Sequence, residues 1–396
     1  MSAFKLGSNI LNISLRNCSK YGKCQNVYVT KCAYSSSASK PPRSALKLGV
    51  IGATVGIVFG TVYSGYNAYA DNKKPLHLSN DQNKSFKLDK MPEYQATRQI
   101  KMLQDKTKLK LVLFQYQTCP FCCKVRAFLD YYGFSYDVVE VDAVLRQSIK
   151  WSNYKKVPIL VAKCEDGFYQ LNDSSMIISL LSSFLNDNKQ TVSELVNYYP
   201  TVQFADETGN NKNDIMNKYN LMFQEKKSKR SSDDILNERK WRMWADENLV
   251  HMLSPNVYRT YSESLETFRW FSKSGEWDLH FPAWEVSLMV HVGALAMWLI
   301  SKKLKTKYNL KEDVRQSLYE SCDEWTGALL KQKTPYMGGK TPNLADLAVF
   351  GILNSFEGCQ AFFDVRQNTH ISAWYDAMKE SVKSNAGNKL LLNAAR

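Results

Sequence analysis

The pattern of apolar and polar positions between residues 106 and 188 predicts one α/β unit. Residues 108–116 carry apolar side chains on both faces, which is typical of a central strand that is covered on two sides. A helix is predicted to follow and to end at Gly133, and the alternating residues 135–141 predict a second strand, parallel to the first. The remaining elements are a polar helix, two hairpin strands and a capped helix: 144–152, 157–161, 168–171 and 172–185. The order β-α-β-α-β-β-α is the thioredoxin-like plan.

From residue 235 onward the apolar spacing becomes helical, which predicts an all-α second domain. Residues 286–300 form a strongly apolar run that is short for a membrane span and is interrupted by His291, so we predict a buried core helix. Asn343 and Asp346 form a capping-box pattern ahead of another apolar helix. A last helix is predicted to begin at Trp374.

Residues 1–70 contain no Asp or Glu. The basic, Ser-rich residues 1–44 resemble an organelle transit peptide, with a disordered cytosolic tail as the alternative. Residues 46–70 are uncharged from Leu48 onward and long enough to cross a bilayer as a helix. The hydrophobic part of a cleaved leader is the alternative to this single-pass anchor. The polar residues 71–100 are predicted to be a linker to the folded part.

The chain is therefore predicted to have two domains behind an anchor. The thioredoxin-like domain covers 101–190, an interdomain linker covers 191–234, and the helical domain covers 235–390. The formal net charge is +14, but eight Lys and Arg fall in the acid-free first 70 residues, so we predict no nucleic-acid partner. Nine cysteines without framework spacing predict reduced thiols and exclude a disulfide-stapled secreted domain.

The candidate chemistry lies at Cys119-Pro120-Phe121-Cys122, between the first strand and its helix. Pro120 suits the first turn of a helix, where its missing N–H costs nothing. The Cys119 sulfur then faces the unpaired N–H groups of a helix N-terminus, which favour an anion and should depress the thiol pKa. A zinc site, a structural disulfide and a chance CxxC are the alternatives. The next cysteine, Cys164, stands alone, which disfavours zinc.

This motif, Val157-Pro158 at a strand start and Asp173-Ser174 at a helix start resemble the glutaredoxin and glutathione-transferase N-terminal domain. The resemblance implies that Pro158 is cis and faces Cys119. It also implies that Val157 pairs its backbone with the cysteinyl part of glutathione, and that Asp173 and Ser174 hold the γ-glutamyl end. A plain helix N-cap at Asp173 and an ordinary edge-strand proline at Pro158 are the alternatives. With the helical domain that follows, the expected fold is a thioredoxin-like domain plus a glutathione-transferase-like C-terminal domain.

Longer stretches, among them TCPFC, KVPILVA, QLNDSS and PNLADLAV, are similar to the type 2 family of membrane-associated prostaglandin E synthases. This resemblance implies isomerisation of the prostaglandin H endoperoxide to prostaglandin E. It matches Cys119 to the essential thiol, and Tyr116 and Phe121 to two further site residues. It also implies bound glutathione and a haem held through the glutathione thiol. Cys123 departs from the family, where a small hydroxyl residue is usual.

Two other functions remain open at this stage. A glutaredoxin-like thiol–disulfide oxidoreductase would use Cys119 as the attacking thiol and Cys122 as the resolving thiol. A membrane-tethered scaffold that binds glutathione or haem would need no turnover. The expected partners are the endoperoxide, glutathione, a membrane and a second copy of the chain. The expected location is the Golgi membrane or the mitochondrion, with release of a soluble form after leader cleavage.

Overall fold

The protein is described by a computed structural model over residues 86–187, 189–205, 211–223 and 230–394. The predicted leader 1–44 and the predicted membrane helix 46–70 lie outside the described residues. Residues 71–85 of the predicted linker lie outside them as well.

Within this part of the chain, the first domain is built on a six-stranded mixed sheet. Its strands β1 to β6 are Lys87–Leu88, Arg98–Ile100, Lys110–Gln115, Tyr136–Glu140, Ile159–Cys164 and Gly167–Asn172. They lie in the order β1-β6-β5-β3-β4-β2. Strand β3 pairs in parallel with β4 and antiparallel with β5, and all its residues after Lys110 are buried. The predicted central strand and the thioredoxin-like order are confirmed.

Two elements of this domain differ from the predictions. Strands β1 and β2 extend the sheet into the predicted linker 71–100, pairing with β6 and β4 at the two edges. They are two and three residues long, too short to show a period-2 pattern. The predicted polar helix 144–152 is reduced to a 3-10 turn, Gln147–Ile149. The Asp142 carboxylate takes the N–H groups of residues 145–147, which competes with helix formation.

The connecting segments place helices against this sheet. Helix α1, Pro120–Tyr132, follows β3, and helix α2, Ser174–Asn186, follows β6. The predicted interdomain linker 191–234 contains regular elements in the ranges that the structure describes. It contains helix α3, Val192–Leu195, and a two-stranded hairpin of β7, Thr201–Ala205, and β8, Asn211–Ile215.

The second domain is helical, as predicted. Its helices α4 to α13 are Ser232–Trp244, Val250–Val257, Tyr261–Ser274, Trp277–His280, Ala283–Lys307, Val314–Gln332, Leu344–Asn354, Gln360–Asn368, Ile371–Lys383 and Asn388–Ala394. A π-helical turn, Ala245–Leu249, joins α4 to α5. The Asn343 capping box is present, and Asp346 is fully buried where it also accepts N–H groups from Met337 and Gly338.

Helix α8 is buried on one side only, which corrects the prediction of a buried core helix at 286–300. Gly293 and Ala294 pack inward, whereas Trp284 is 59% exposed and Leu299 is 50% exposed. Ser287 and His291 are the only polar side chains in the run and both are exposed, so the periodicity gave only a weak indication of the solvated face. Within the described residues α8 also has the length and composition to cross a membrane, a criterion that core helices of soluble proteins meet too.

The two domains meet where α10 packs against α1. Gly351 makes this contact close, because a Cβ atom there would lie 2.6 Å from the Cα and the N of Lys124. Real Cβ atoms essentially never come so near to backbone atoms. The helix that begins after Cys119 is thus held by direct backbone packing against the helical domain.

Candidate active site

Cys119 lies at the junction between β3 and α1, where it is the N-cap residue of the helix. Its backbone is extended, with φ −73° and ψ 126°, and Pro120 occupies the first helical position. The Cys119 carbonyl accepts the N–H of Cys123 at 2.9 Å, which is the first bond of the helix. The helix ends at Gly133, which is left-handed. Cys119 therefore immediately precedes a regular helix of 13 residues.

The surroundings of Cys119 favour its thiolate. Burial alone would raise the pKa of this thiol, since only 2% of the residue is exposed. The neighbouring Cys122 thiol and the N–H groups of Cys122 and Phe121 at the helix start outweigh burial and lower the pKa below its ordinary value, although neither N–H group makes a cap hydrogen bond to the sulfur. The converse holds for Cys122, whose pKa is raised well above its ordinary value by burial and by the neighbouring Cys119. Cys119 is therefore the more acidic thiol of the pair.

Cys123 points away from this pair towards a polar cluster. Its sulfur lies 3.3 Å from the carbonyl oxygen of Gln117 and accepts a hydrogen bond from Arg126 at 3.1 Å. Burial raises the pKa of the Cys123 thiol to about 11, although the Arg126 cation opposes the shift. At neutral pH this third thiol is therefore protonated. The six cysteines among the described residues are all free.

Tyr116 and Phe121, the two further residues matched by the resemblance, flank Cys119. The Tyr116 carbonyl accepts the Cys119 N–H at 3.2 Å. Burial raises the pKa of the Tyr116 hydroxyl, so this phenol is a proton donor at neutral pH and not a base. Phe121 is partly buried on the first turn of α1, with its ring 5.7 Å from the Lys124 ammonium.

The Val157–Pro158 peptide bond is cis, as the resemblance implies. Strand β5 begins only after it, at Ile159, which pairs with Asn172. In the part of the chain that the structure describes, the Val157 backbone makes no hydrogen bond within the chain. Its N–H and C=O groups are therefore available to an extended peptide.

Asp173 and Ser174 lie at the start of α2. Asp173 has a left-handed φ of 68°, and one of its carboxylate oxygens accepts the N–H groups of Ser175 and Met176. The predicted N-cap is therefore real, and Asp173 keeps its second oxygen for another donor. Ser174 is buried in the first turn. Burial raises the pKa of the Tyr154 hydroxyl, and the charges of Asp173 and Cys119 add to this shift.

One polar cluster beside the site was not predicted from the sequence. The Lys124 ammonium, on α1, is buried and pairs with Asp246 from the π-helical turn. Ser175 donates to the same carboxylate at 2.6 Å, and Tyr219 donates at 3.0 Å. The cluster ties the reactive helix, the start of α2 and the helical domain together. No local signal reports it, because its members are far apart in the chain.

Comparisons with known proteins show what this chain is similar to. A family model described as Glutaredoxin matches residues 111–165. Prostaglandin E synthase 2 of Mus musculus is 45% identical over 294 residues, which are 74% of this chain and 75% of the relative. Prostaglandin E synthase 2 of Danio rerio is 45% identical over 280 residues, 70% of this chain and 72% of the relative. The solved glutathione transferase F7 of Populus trichocarpa aligns with 70% of this chain and 99% of its own at a TM-score of 0.38 and 12% identity.

Proposed function

Because the chain belongs to the prostaglandin E synthase 2 family, we propose that it isomerises the prostaglandin H endoperoxide to prostaglandin E. The observation that carries the proposal is Cys119, a thiol of lowered pKa at a helix N-terminus. The resemblance drawn from the sequence motifs is confirmed by these relatives. We further propose that Cys119, Tyr116 and Phe121 form the catalytic part of the site.

The reaction breaks the O–O bond, removes the proton on C9 and gives a ketone at C9 and a hydroxyl at C11, with no net redox change. Cys119 donates its proton to the oxygen on C11, and its low pKa makes it the stronger donor. The thiolate that remains takes up the C9 proton, which restores the thiol. Tyr116, kept protonated by burial, donates a second hydrogen bond to the endoperoxide. Phe121 contributes apolar surface for the acyl chains of the substrate.

Glutathione is proposed to lie between Cys119 and the start of α2. The residues present fit an extended tripeptide: Val157 offers free backbone groups beside the cis-proline, and Asp173 and Ser174 lie at a helix N-terminus that suits a carboxylate. Bound there, glutathione would supply a second thiol next to Cys119.

Haem is proposed as a second ligand, held through the glutathione thiol. Held in this way, the haem iron would depend on the glutathione site. Loss of glutathione binding should then abolish haem binding, which absorbance spectroscopy measures.

A homodimer is proposed to form through the exposed apolar face of α8, which contains Trp284, Leu295 and Leu299. Leu295→Glu should yield a monomer in sedimentation analysis. The proposed location is a Golgi or mitochondrial membrane, with residues 46–70 as the anchor and a soluble form after leader cleavage. Fractionation of cells expressing the full chain and a 46–70 deletion tests this proposal.

A dithiol oxidoreductase is the second candidate function, because the Cys122 thiol donates a hydrogen bond to Cys119 within a glutaredoxin-like domain. Cys122→Ser separates the two. The isomerase should keep most of its prostaglandin E formation, since a serine hydroxyl can still donate to the Cys119 sulfur. A reductase that needs Cys122 as resolving thiol should lose its turnover with glutathione disulfide substrates. If Cys119→Ser loses prostaglandin E formation and Cys122→Ser keeps it, the isomerase is supported. If Cys122→Ser also loses prostaglandin E formation, the result argues for dithiol chemistry.

A further inference from the structure

Lys218, in the segment predicted to be an interdomain linker, is held against the first turns of α2. Its carbonyl accepts a hydrogen bond from Ser179 at 2.6 Å. Arg242 binds Ser175 O at 3.1 Å, Ser179 Oγ at 2.8 Å and the neighbouring Tyr219 O at 3.2 Å. These bonds fix the backbone of residues 218–219 on α2, two turns or less from Asp173.

The charged side chains at this place form a mixed-charge rim near the start of α2. The Lys218 ammonium lies 5.7 Å from the ring centroid of Tyr219, whose hydroxyl donates to Asp246 together with Ser175. The Lys218 ammonium is 22% exposed and pairs with Asp214 at 2.6 Å. Burial lowers its pKa, but the charges of Asp173, Asp214 and Asp246 outweigh burial and raise the pKa. Lys156, just before Val157, is partly buried, which lowers its pKa, and the charge of Asp173 opposes this shift. Charges of both signs thus act on one another near the start of α2.

Such a rim suits a group that is itself a zwitterion. The γ-glutamyl residue of glutathione ends in an α-ammonium and an α-carboxylate on one carbon. Asp173 has one carboxylate oxygen left for the ammonium of the ligand. The start of α2 is already capped by Asp173 and carries no cation, so the α-carboxylate of the ligand has no charged partner there.

We propose that Lys218 binds the α-carboxylate of the γ-glutamyl residue of glutathione, with Asp173 binding the α-ammonium. The inference rests on the proposed glutathione site and adds a residue from the β8–α4 connection to it. Lys218 is then a determinant of ligand specificity, and Asp214 holds it in place when no ligand is bound.

The test measures glutathione binding to the full chain by calorimetry, with two analogues as further probes. Glutaryl-cysteinylglycine keeps the carboxylate and lacks the amine, whereas 4-aminobutanoyl-cysteinylglycine keeps the amine and lacks the carboxylate. Lys218→Gln should weaken glutathione and the glutaryl analogue roughly tenfold, as loss of a charge-assisted hydrogen bond predicts. It should leave the aminobutanoyl analogue unchanged.

Asp214→Asn is the matched control, since it removes the same ion pair but keeps the Lys218 cation. It should bind glutathione at least as tightly as the wild type. Equal weakening of all three ligands in Lys218→Gln, or the same loss in Asp214→Asn, would show a structural role and overturn the inference. If the wild-type chain binds no glutathione while it forms prostaglandin E, the glutathione site itself is overturned and the isomerase stands.

Discussion

Replacement of Gly351 by alanine should disturb the reactive helix through backbone packing alone. The new Cβ would lie 2.6 Å from the Cα and N of Lys124 and 2.9 Å from the carbonyl carbon of Cys123. No rotamer change can relieve contacts with backbone, so α10 and α1 must separate by roughly 1 Å to reach ordinary contact. Overpacking of this kind costs about 1–3 kcal/mol, partly offset by the up to ~1 kcal/mol that alanine gains over glycine in a helix.

The assay is thermal unfolding together with prostaglandin E formation. The melting temperature of Gly351→Ala should fall by about 5 °C. Activity should fall further, by up to about 100-fold, because Cys119 begins the helix that moves. Gly327→Ala in α9 is the control, since its Cβ would meet nothing within 4 Å, and it should be neutral or slightly stabilising. Wild-type stability and activity in Gly351→Ala would refute the argument that close backbone packing positions the site.

Three further predictions concern polar groups. Lys124→Met leaves Asp246 without its cation and should lower the free energy of unfolding in urea by about 3–5 kcal/mol. Adding Asp246→Asn should recover part of the lost stability, and an equal loss in the double variant would contradict the pairing. Burial raises the pKa of Glu140 to about 7 from an ordinary value of 4.5, so the fold should lose stability as the pH rises from about 4.5 to about 7. Glu140→Gln should reduce this loss of stability. The smaller contribution of Asp346 should remain, because burial raises the pKa of Asp346 to about 6. An unchanged dependence of stability on pH in Glu140→Gln would refute the assignment to Glu140. Asn343→Ala removes two cap bonds and should cost about 1 kcal/mol in the same unfolding assay, so a neutral result would contradict the role of the cap.

The parts of the site that sequence reasoning reached are those with local causes. Pro120 and Gly133 mark the two ends of α1 within a few residues, and Asp173 caps α2 through the two N–H groups that follow it. These features depend on backbone chemistry that short motifs carry. Strands β3 to β6 followed in the same way, because each is a short apolar run with turn residues beside it, whereas the shorter β1 and β2 were missed.

The parts that the sequence did not show depend on contacts between distant residues. Lys124 and Asp246 are separated by 122 positions, and neither has a local pattern that indicates its partner. Lys218 lies in a polar segment with weak periodicity, so its position on α2 became visible only with the fold. The exposed face of α8 was missed for a different reason, since Ser287 and His291 are the only polar side chains among residues 286–300 and give a weak periodic signal.

The central claim is that Cys119 carries the isomerisation. The measurement incubates the full chain with the prostaglandin H endoperoxide and identifies the products by mass spectrometry, for the wild type, Cys119→Ser and Cys164→Ser. Cys164 is a control because it lies at the end of β5, outside the reactive pair. The account predicts prostaglandin E from the wild type and from Cys164→Ser, and only the products of uncatalysed decay from Cys119→Ser. Prostaglandin E formation by Cys119→Ser at the wild-type rate would contradict it.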